Sequence, residues 1–191
     1  RIKTAFNLVH EDYNGLISYQ SNRDYSGQSW VGKLYNLLLI KKILIIEYKG
    51  FKDDSSYVRR IHPYHLKQFN NRWFLFGLND KYKSISNMAL DRIVSFETIT
   101  LKYIKNKSIN FNEYFEDIIG VTMPDKGNLA KIELLFTNEE APYVLTKPFH
   151  HSQKVLEKYD DGSILISIRV HHNFEIERLI LGFGDAIEVI K

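Results

Sequence analysis

The sequence predicts a mainly β chain with an α+β second half. Up to about residue 106, short runs alternate between apolar and polar residues with the period of two that β-strands show. After residue 125, such runs are separated by segments with the 3.6-residue period of helices. The charges also divide: residues 29–105 carry 14 Lys and Arg against 6 Asp and Glu, and residues 106–191 carry 9 against 14. Two modules with different partners are therefore expected.

The first half opens with a helix and continues with short strands. Ser29 stands at the N-cap position of the helix, Pro63 is expected to end a strand, and Asn70-Asn71 predicts a two-residue hairpin turn. A sheet of about five strands this short buries a core by curling on itself, so the sequence predicts a small β-barrel. The predicted elements are a helix over 30–42 and strands over 43–49, 56–63, 64–69, 72–78 and 85–101, the last being one strand or two.

The second half alternates helices with strands. Thr137 and Glu140 have the spacing of a capping box, Asp161-Gly162 predicts a hairpin turn, and Asn173 stands before a helix with acidic residues in its first turn. The order β-α-β-β-α-β is that of the ferredoxin-like split arrangement. The predicted elements are strands over 131–136, on both sides of the Asp161-Gly162 turn and over 186–190, with helices after Thr137 and over 174–181.

Four ranges follow from these patterns. They are a linker (1–28), the barrel (29–106), a connecting segment (107–125) and the α+β module (126–191). The chain begins at Arg1 without a signal-peptide pattern, so we expect it to be part of a longer protein. It has no cysteine, which excludes disulfides and thiolate metal sites, and no apolar run of about 20 residues that would predict a membrane helix. A cytoplasmic location fits these features.

Several ordered motifs resemble a known family. LIIEYK (44–49), RRIHP (59–63), RWFLFG (72–77) and ALDRI (89–93) look like the WYL domain of bacterial transcription regulators, with Trp73-Phe74-Leu75 at the position of the Trp-Tyr-Leu triplet. KPFHHSQ (147–153), DDGSILISIRV (160–170) and FGDAIEVI (183–190) are similar to the C-terminal extension of the same proteins. The resemblance implies an Sm-like, SH3-type barrel and a DNA-binding winged helix-turn-helix upstream of Arg1. It also implies a nucleic acid or nucleotide effector and a homodimer.

The candidate ligand-binding residues are arginines with their aromatic and polar neighbours on the barrel strands. Arginine presents a planar fork to phosphate, and an aromatic ring stacks on a base. Arg59 and Arg60 point to opposite faces of their strand, so at most one lines a given pocket. His62 also suits a structural role, and Asp91 is placed to pair with Arg92. The full set is Tyr48, Arg59, Arg60, His62, Trp73, Phe74 and Arg92.

Other functional classes have less support in the sequence. The pairs His150-His151 and His171-His172 suggest a metal, but adjacent residues usually diverge, so we expect no metal site and no cofactor. Sequence motifs of nucleophilic, zinc-dependent or phosphate-loop enzymes are absent, and no enzyme activity is expected. The alternative is an oligomerisation or protein-interaction module without a small ligand. A basic aromatic pocket would favour a ligand, and a large exposed apolar patch would favour assembly.

Overall fold

Two antiparallel β-sheets and a few short helices form the protein, which belongs to the α+β class. This computed structural model describes residues 27–124 and 129–191. The predicted linker over residues 1–28 therefore lies, except for its last two residues, outside the described residues. Each half of the chain has its own sheet, as the change of sequence period predicts.

The first sheet has five strands in the order β4-β3-β2-β1-β5. These pairings place β4 and β5 at the two ends of the sheet, so a closed barrel stays a prediction. The elements are α1 (Trp30–Leu39), β1 (Ile43–Tyr48), β2 (Tyr57–Phe69), β3 (Arg72–Asn79), β4 (Ser84–Ala89), a 3-10 turn (Leu90–Arg92) and β5 (Ile93–Ile99).

Helix α1 covers one face of this sheet. Leu34 of the helix is fully buried against Leu44, Ile46, Ile61 and Leu75 of the strands. The alternation of apolar residues in β1 explains this contact, because every second side chain of a strand lies on the same face. Ser29 is the N-cap residue as predicted, but its side chain makes no capping hydrogen bond.

Strand β2 is longer than the sequence predicts, because Pro63 does not end it. The strand continues to Phe69, and its pairing with β3 shifts register between Pro63 and His65. A bulge of this kind accommodates a residue that has no backbone N–H to donate. The predicted turn at Asn70-Asn71 is confirmed, and both residues have the positive φ angles, 45° and 60°, of a tight hairpin turn.

The opposite face of the first sheet is covered by the connecting segment. Its short helix α2 (Phe111–Tyr114) brings Phe111 and Phe115 against Phe76 of β3, with ring centroids 6.1 and 5.1 Å away. The same segment reaches the second sheet, because the side chain of Asn173 donates hydrogen bonds to the carbonyls of Ile119 and Thr122.

The second sheet has the strand order β7-β8-β6-β9 and its own apolar core. The predicted order of elements, β-α-β-β-α-β, is confirmed, whereas its assignment as ferredoxin-like stays a prediction. The Thr137–Glu140 capping box is wrong: Glu140 is the N-cap residue and makes no side-chain capping bond. The elements are β6 (Leu129–Phe136), α3 (Ala141–Thr146), β7 (Lys154–Lys158), β8 (Ile164–His171), α4 (Phe174–Leu181), a 3-10 turn (Gly184–Ala186) and β9 (Ile187–Val189).

In the part of the chain that the structure describes, no helix combines the length and the apolar content needed to span a bilayer.

Candidate ligand-binding face

The α1 face of the first sheet carries a set of polar and aromatic side chains beyond the end of the helix. Tyr48 of β1 is paired with Tyr57 of β2 and with Ile93 of β5. Directly paired residues share a face, and so do residues two apart in a strand, so Arg59 lies on the same face as Tyr57 and Tyr48. The backbone N–H of Lys49 donates to the carbonyl of Arg92 at 3.0 Å, which holds the 3-10 turn beside this group.

Arginines lie beside aromatic rings along this face and in the turns next to it. The guanidinium carbon of Arg59 lies 4.1 Å from the ring centroid of Tyr57 and 5.5 Å from that of Tyr82, and the Tyr57 and Tyr48 centroids are 5.7 Å apart. Arg92 stands near Tyr48. We call this set the arginine–aromatic row, with the members Tyr82, Arg59, Tyr57, Tyr48, Arg92, Phe51 and Arg72.

Phe51 joins the two last arginines of the row. Its ring centroid lies 4.5 Å from the guanidinium carbon of Arg92 and 5.9 Å from that of Arg72. Guanidinium groups at this distance from an aromatic ring are favourable cation–π pairs. The charge of Arg92 remains available to an anion, because a ring, unlike a carboxylate, does not neutralise it, whereas Arg72 also lies 3.5 Å from a carboxylate oxygen of Asp91.

An open cleft of about 300 Å³ lies at this end of the row. It is lined by Lys49, Gly50, Phe51, Asp91, Arg92, Ile93 and Val94. The buried Nε of Arg92 has no acceptor within the described residues, and Oδ1 of Asp91 likewise has no donor there. The other carboxylate oxygen of Asp91 lies 3.5 Å from Nε of Arg72. The cleft thus presents cationic groups beside an exposed aromatic ring, a combination that suits a planar anionic ligand.

The environment of Tyr48 keeps its hydroxyl protonated. Burial raises the pKa of Tyr48 above its ordinary value, and the nearby Arg92 guanidinium acts in the opposite direction without outweighing it. The side chain is 7% exposed. Tyr48 is therefore a neutral hydrogen-bonding group beside Arg92 rather than an additional charge.

The structure brings together Tyr48, Arg59 and Arg92 among the residues predicted from the sequence. Trp73 lies close by on the same face, half-buried against the core, where it lines a small recess with Arg72 and Asp91. Phe74 is on the opposite face of the sheet, because side chains alternate along β3.

Arg60 and His62 do not lie on this face. Both point to the other side of β2, where Arg60 Nη1 lies 3.2 Å from a carboxylate oxygen of Asp80 and His62 Nε2 lies 3.2 Å from the other oxygen. Of the two consecutive arginines, only Arg59 therefore lies on the face of Tyr48, and Arg60 and His62 lie apart from it. Arg60 and His62 are held on this other side by the carboxylate of Asp80, which lies in the turn between β3 and β4.

Sequence reasoning missed four members of the row. Tyr57 was within a predicted strand, two residues before Arg59, so strand alternation alone would have placed it on the same face. Arg72 directly precedes Trp73 at the start of β3, so strand alternation alone would have placed it on the other face, and its contacts with Phe51 and Asp91 could not be read from the sequence. Phe51 and Tyr82 lie in turns, where no sequence period indicates the direction of a side chain.

The paired histidines are used in separate local contacts. His150 bonds to the Ser152 hydroxyl and the Glu116 carbonyl, and Nε2 of His172 lies 3.0 Å from a carboxylate oxygen of Glu177. Burial lowers the pKa of His150 below its ordinary value. Within residues 27–124 and 129–191, no group of three or more His, Cys, Asp or Glu side chains is arranged to hold a metal ion.

Comparison with known proteins gives two domain matches and several distant structural relatives. The chain resembles the proteasome accessory factor B/C (PafBC) of Arthrobacter aurescens, with a TM-score of 0.38 and 15% identity over 92% of this chain and 26% of that one. It resembles a CRISPR Cas-related protein with a TM-score of 0.48 and 11% identity over 83% of this chain and 44% of that one. The chain thus spans less than half the length of either structure.

A search of the curated proteins found no match. The WYL domain model matches residues 30–98, and the WCX domain model matches residues 128–191, where the sequence indicates the C-terminal extension. These ranges correspond to the two sheets and together cover more than two thirds of the chain. The chain therefore contains a WYL domain followed by a WCX domain.

Proposed function

We propose that this chain is the ligand-sensing regulatory part of a transcriptional regulator, and that its WYL domain binds an anionic effector, a nucleic acid or a nucleotide. The observation that carries the proposal is the arginine–aromatic row. Three arginines lie beside four aromatic rings in this row, and the cleft beside Arg92 is open to solvent.

The chemistry of the row matches a chain of phosphates and bases. A guanidinium can donate two parallel hydrogen bonds to a phosphate, and an exposed ring such as that of Phe51 offers an apolar surface to a base. The surrounding half of the chain has an excess of positive charge, 14 Lys and Arg against 6 Asp and Glu over residues 29–105. That excess would raise the local concentration of an anion and speed its association.

The proposed regulatory role has further parts. The chain is expected to control an upstream helix-turn-helix domain that binds DNA, to act as a homodimer in the cytoplasm, and to have no enzyme activity. Its first sheet is expected to close into an Sm-like barrel and its second to be ferredoxin-like. The connecting segment contacts both sheets, so it provides a physical route by which ligand binding on the WYL domain can reach the WCX domain.

The alternative proposal, an oligomerisation module without a small ligand, is less well supported. It calls for a contiguous apolar surface, whereas the row is cationic and aromatic and ends at an open cleft. The alternative would gain support if no anionic probe bound to a folded, self-associating chain.

The test is a binding titration with single-stranded oligonucleotides, cyclic dinucleotides and mononucleotides at several salt concentrations. Arg92→Ala is expected to weaken binding of the preferred probe by about 1.5–3 kcal/mol, the contribution of a charged hydrogen bond. For a single-stranded oligonucleotide, the slope of log affinity against log salt should also fall by about 0.7, the effect of losing one phosphate contact.

The matched control is Arg178→Ala. Arg178 also lies over an aromatic ring, with its guanidinium carbon 5.0 Å from the centroid of Phe174, but it belongs to α4 of the WCX domain. The control should leave affinity and salt slope unchanged. Equal weakening by the two substitutions would show a general charge effect and would contradict a ligand site at Arg92.

A further inference from the structure

Phe51 is an exposed aromatic side chain that a tight turn holds in place. The side chain is 71% exposed. The backbone N–H of Asp53 donates to the carbonyl of Gly50 at 3.1 Å, and the N–H of Gly50 donates to the Asp53 carboxylate at 2.9 Å. A Cβ atom on Gly50 would approach that carboxylate to 2.5 Å, so the turn closes tightly around a glycine. Phe51 is thus presented to solvent by a loop with its own internal bonds.

The ring also forms one wall of the open cleft. Arg92 lies over it at 4.5 Å, Arg72 stands at 5.9 Å, and Lys49 lines the same cleft. An isolated exposed phenylalanine would need no explanation. Here an exposed ring, two guanidinium groups and an open volume of about 300 Å³ come together at one place.

We propose that Phe51 is a stacking platform for a nucleobase of the ligand, whose adjoining phosphate binds Arg92. This inference rests on the proposed function, and it specifies that the ligand must carry a planar ring next to its anionic group. A base has a flat face that stacks on an aromatic ring whatever its sequence, while its phosphate meets the guanidinium beside that ring. Polyphosphates and other anions without a ring would bind the arginines but gain nothing from Phe51.

The other aromatic residues of this region are less suited to this role. Trp73 is half-buried and packs against the core, and Phe74 lies on the opposite face of the sheet. Tyr48 is almost fully buried. Phe51 combines high exposure with direct contact to Arg92, and this combination assigns base stacking to the turn rather than to the Trp73-Phe74-Leu75 triplet.

The test compares two probes in the same titration, a single-stranded oligo(dA) of about ten nucleotides, which is within the usual site size, and inorganic tripolyphosphate. Phe51→Leu is expected to weaken oligo(dA) binding by about 5- to 150-fold, the loss of one base–aromatic stack, and to leave tripolyphosphate binding unchanged. Phe51→Trp should retain or increase the affinity for oligo(dA). Because Phe51 is exposed, both variants should keep the thermal unfolding midpoint of the wild type.

Tyr143→Leu is the control, since Tyr143 is 69% exposed but lies on α3 of the WCX domain. If Phe51→Leu leaves oligo(dA) binding intact while Arg92→Ala weakens it, the stacking inference is wrong and the proposed function stands. Equal weakening of both probes by Phe51→Leu would also overturn it, because Phe51 would then act by positioning Arg92. If the wild type binds no nucleic acid or nucleotide probe, the inference and the proposed function fail together.

Discussion

The Nε2 atom of His62 lies 3.2 Å from Oδ1 of Asp80. From the sequence alone, His62 suits either a ligand site or a structural contact, and in the fold it makes this contact within the protein. The ring is 2% exposed, and its Nδ1 accepts a hydrogen bond from the backbone N–H of Ile104 at 3.0 Å. Since Nδ1 is an acceptor, the proton of the neutral ring is on Nε2, and this N–H donates a hydrogen bond to Asp80. His62 thus joins the turn after β3 to the segment after β5, and its role is structural.

Asp80→Ala is expected to lower the free energy of unfolding at neutral pH by about 1–3 kcal/mol, because the buried His62 donor loses its acceptor. Burial acts to raise the pKa of Asp80, but the hydrogen bonds from His62 and Lys83 outweigh it and lower the pKa below the ordinary value. A carboxyl with a lowered pKa stabilises the fold above its unfolded-state pKa of about 3.9, and this part of the stability is lost as pH falls through the folded-state pKa.

Urea unfolding of wild type and Asp80→Ala at pH 7 and pH 3 measures this effect, and the difference between the two proteins should be smaller at pH 3. Asp54→Ala is the control, because the Asp54 side chain is exposed and makes no hydrogen bond or ion pair within the described residues. A difference that is the same at both pH values would show that the Asp80 charge is not involved.

Replacing two glycines of the WYL domain by alanine should change the stability of the protein in opposite directions. A Cβ atom on Gly77 of β3 would lie 2.5 Å from the carbonyl oxygen of His62 and 2.5 Å from Cγ2 of Ile61, whereas one on Gly32 of α1 would meet nothing within 4 Å. Gly77→Ala should therefore destabilise the protein by about 1–3 kcal/mol through overpacking. Gly32→Ala should stabilise it by about 0.5–1 kcal/mol, because glycine is unfavourable within a helix. Denaturant unfolding of both variants checks the pair, and a loss of stability in Gly32→Ala would contradict it.

Local patterns predicted much of the fold. The Asn70-Asn71 turn and the Asn173 cap are decided by the preferences of those residues, and Asn173 Oδ1 accepts from the Ile176 N–H at 3.0 Å. Pro63 was misjudged because a proline ends a regular strand but fits a bulge, and the bulge depends on the partner strand β3. Local sequence carries no information about that pairing.

The candidate site was harder to predict for the same reason. Tyr48, Arg59 and Arg92 have suitable chemistry on predicted strands or beside them, and the fold brings them to one face. Arg60 has the same chemistry, yet Asp80, 20 residues away in the sequence, binds it on the other face. Phe51 lies in a turn, and the direction of its side chain depends on the bonds between Gly50 and Asp53.

His65 should make stability depend on pH in the range where histidine titrates. Its ring stacks on Phe111 with centroids 4.8 Å apart and planes at 6°. Burial lowers the pKa of His65 below its ordinary value, and the charge of Lys67 adds to this. The folded state therefore binds the proton less readily than the unfolded state, so this contribution is present above about pH 6.5 and decreases as pH falls towards the folded-state pKa.

The measurement is the thermal unfolding midpoint of wild type and His65→Phe at pH 8 and at pH 5.5. The decrease between the two pH values should be smaller in His65→Phe, because phenylalanine preserves a stacked ring without a titrating group. His172→Gln is the control for removing a histidine whose side chain is 66% exposed. An identical decrease in wild type and His65→Phe would show that His65 does not titrate on unfolding.

Arg59 and Arg60 provide the sharpest comparison for the binding face, since the two substitutions remove the same charge from consecutive residues. Arg59 lies over Tyr57 within the row, and Arg60 pairs with Asp80 on the opposite face of the sheet. Arg59→Ala is expected to weaken a single-stranded oligonucleotide by about 1.5–3 kcal/mol and to reduce the salt slope by about 0.7. Arg60→Ala should leave both quantities unchanged and alter stability by no more than about 1 kcal/mol, because Arg60 is 46% exposed and Asp80 keeps its contacts with His62 and Lys83. Fluorescence anisotropy of a labelled oligonucleotide at several salt concentrations makes both measurements. Equal losses in the two variants would mean that the total positive charge of the WYL domain, rather than guanidinium groups placed along one face, attracts the ligand.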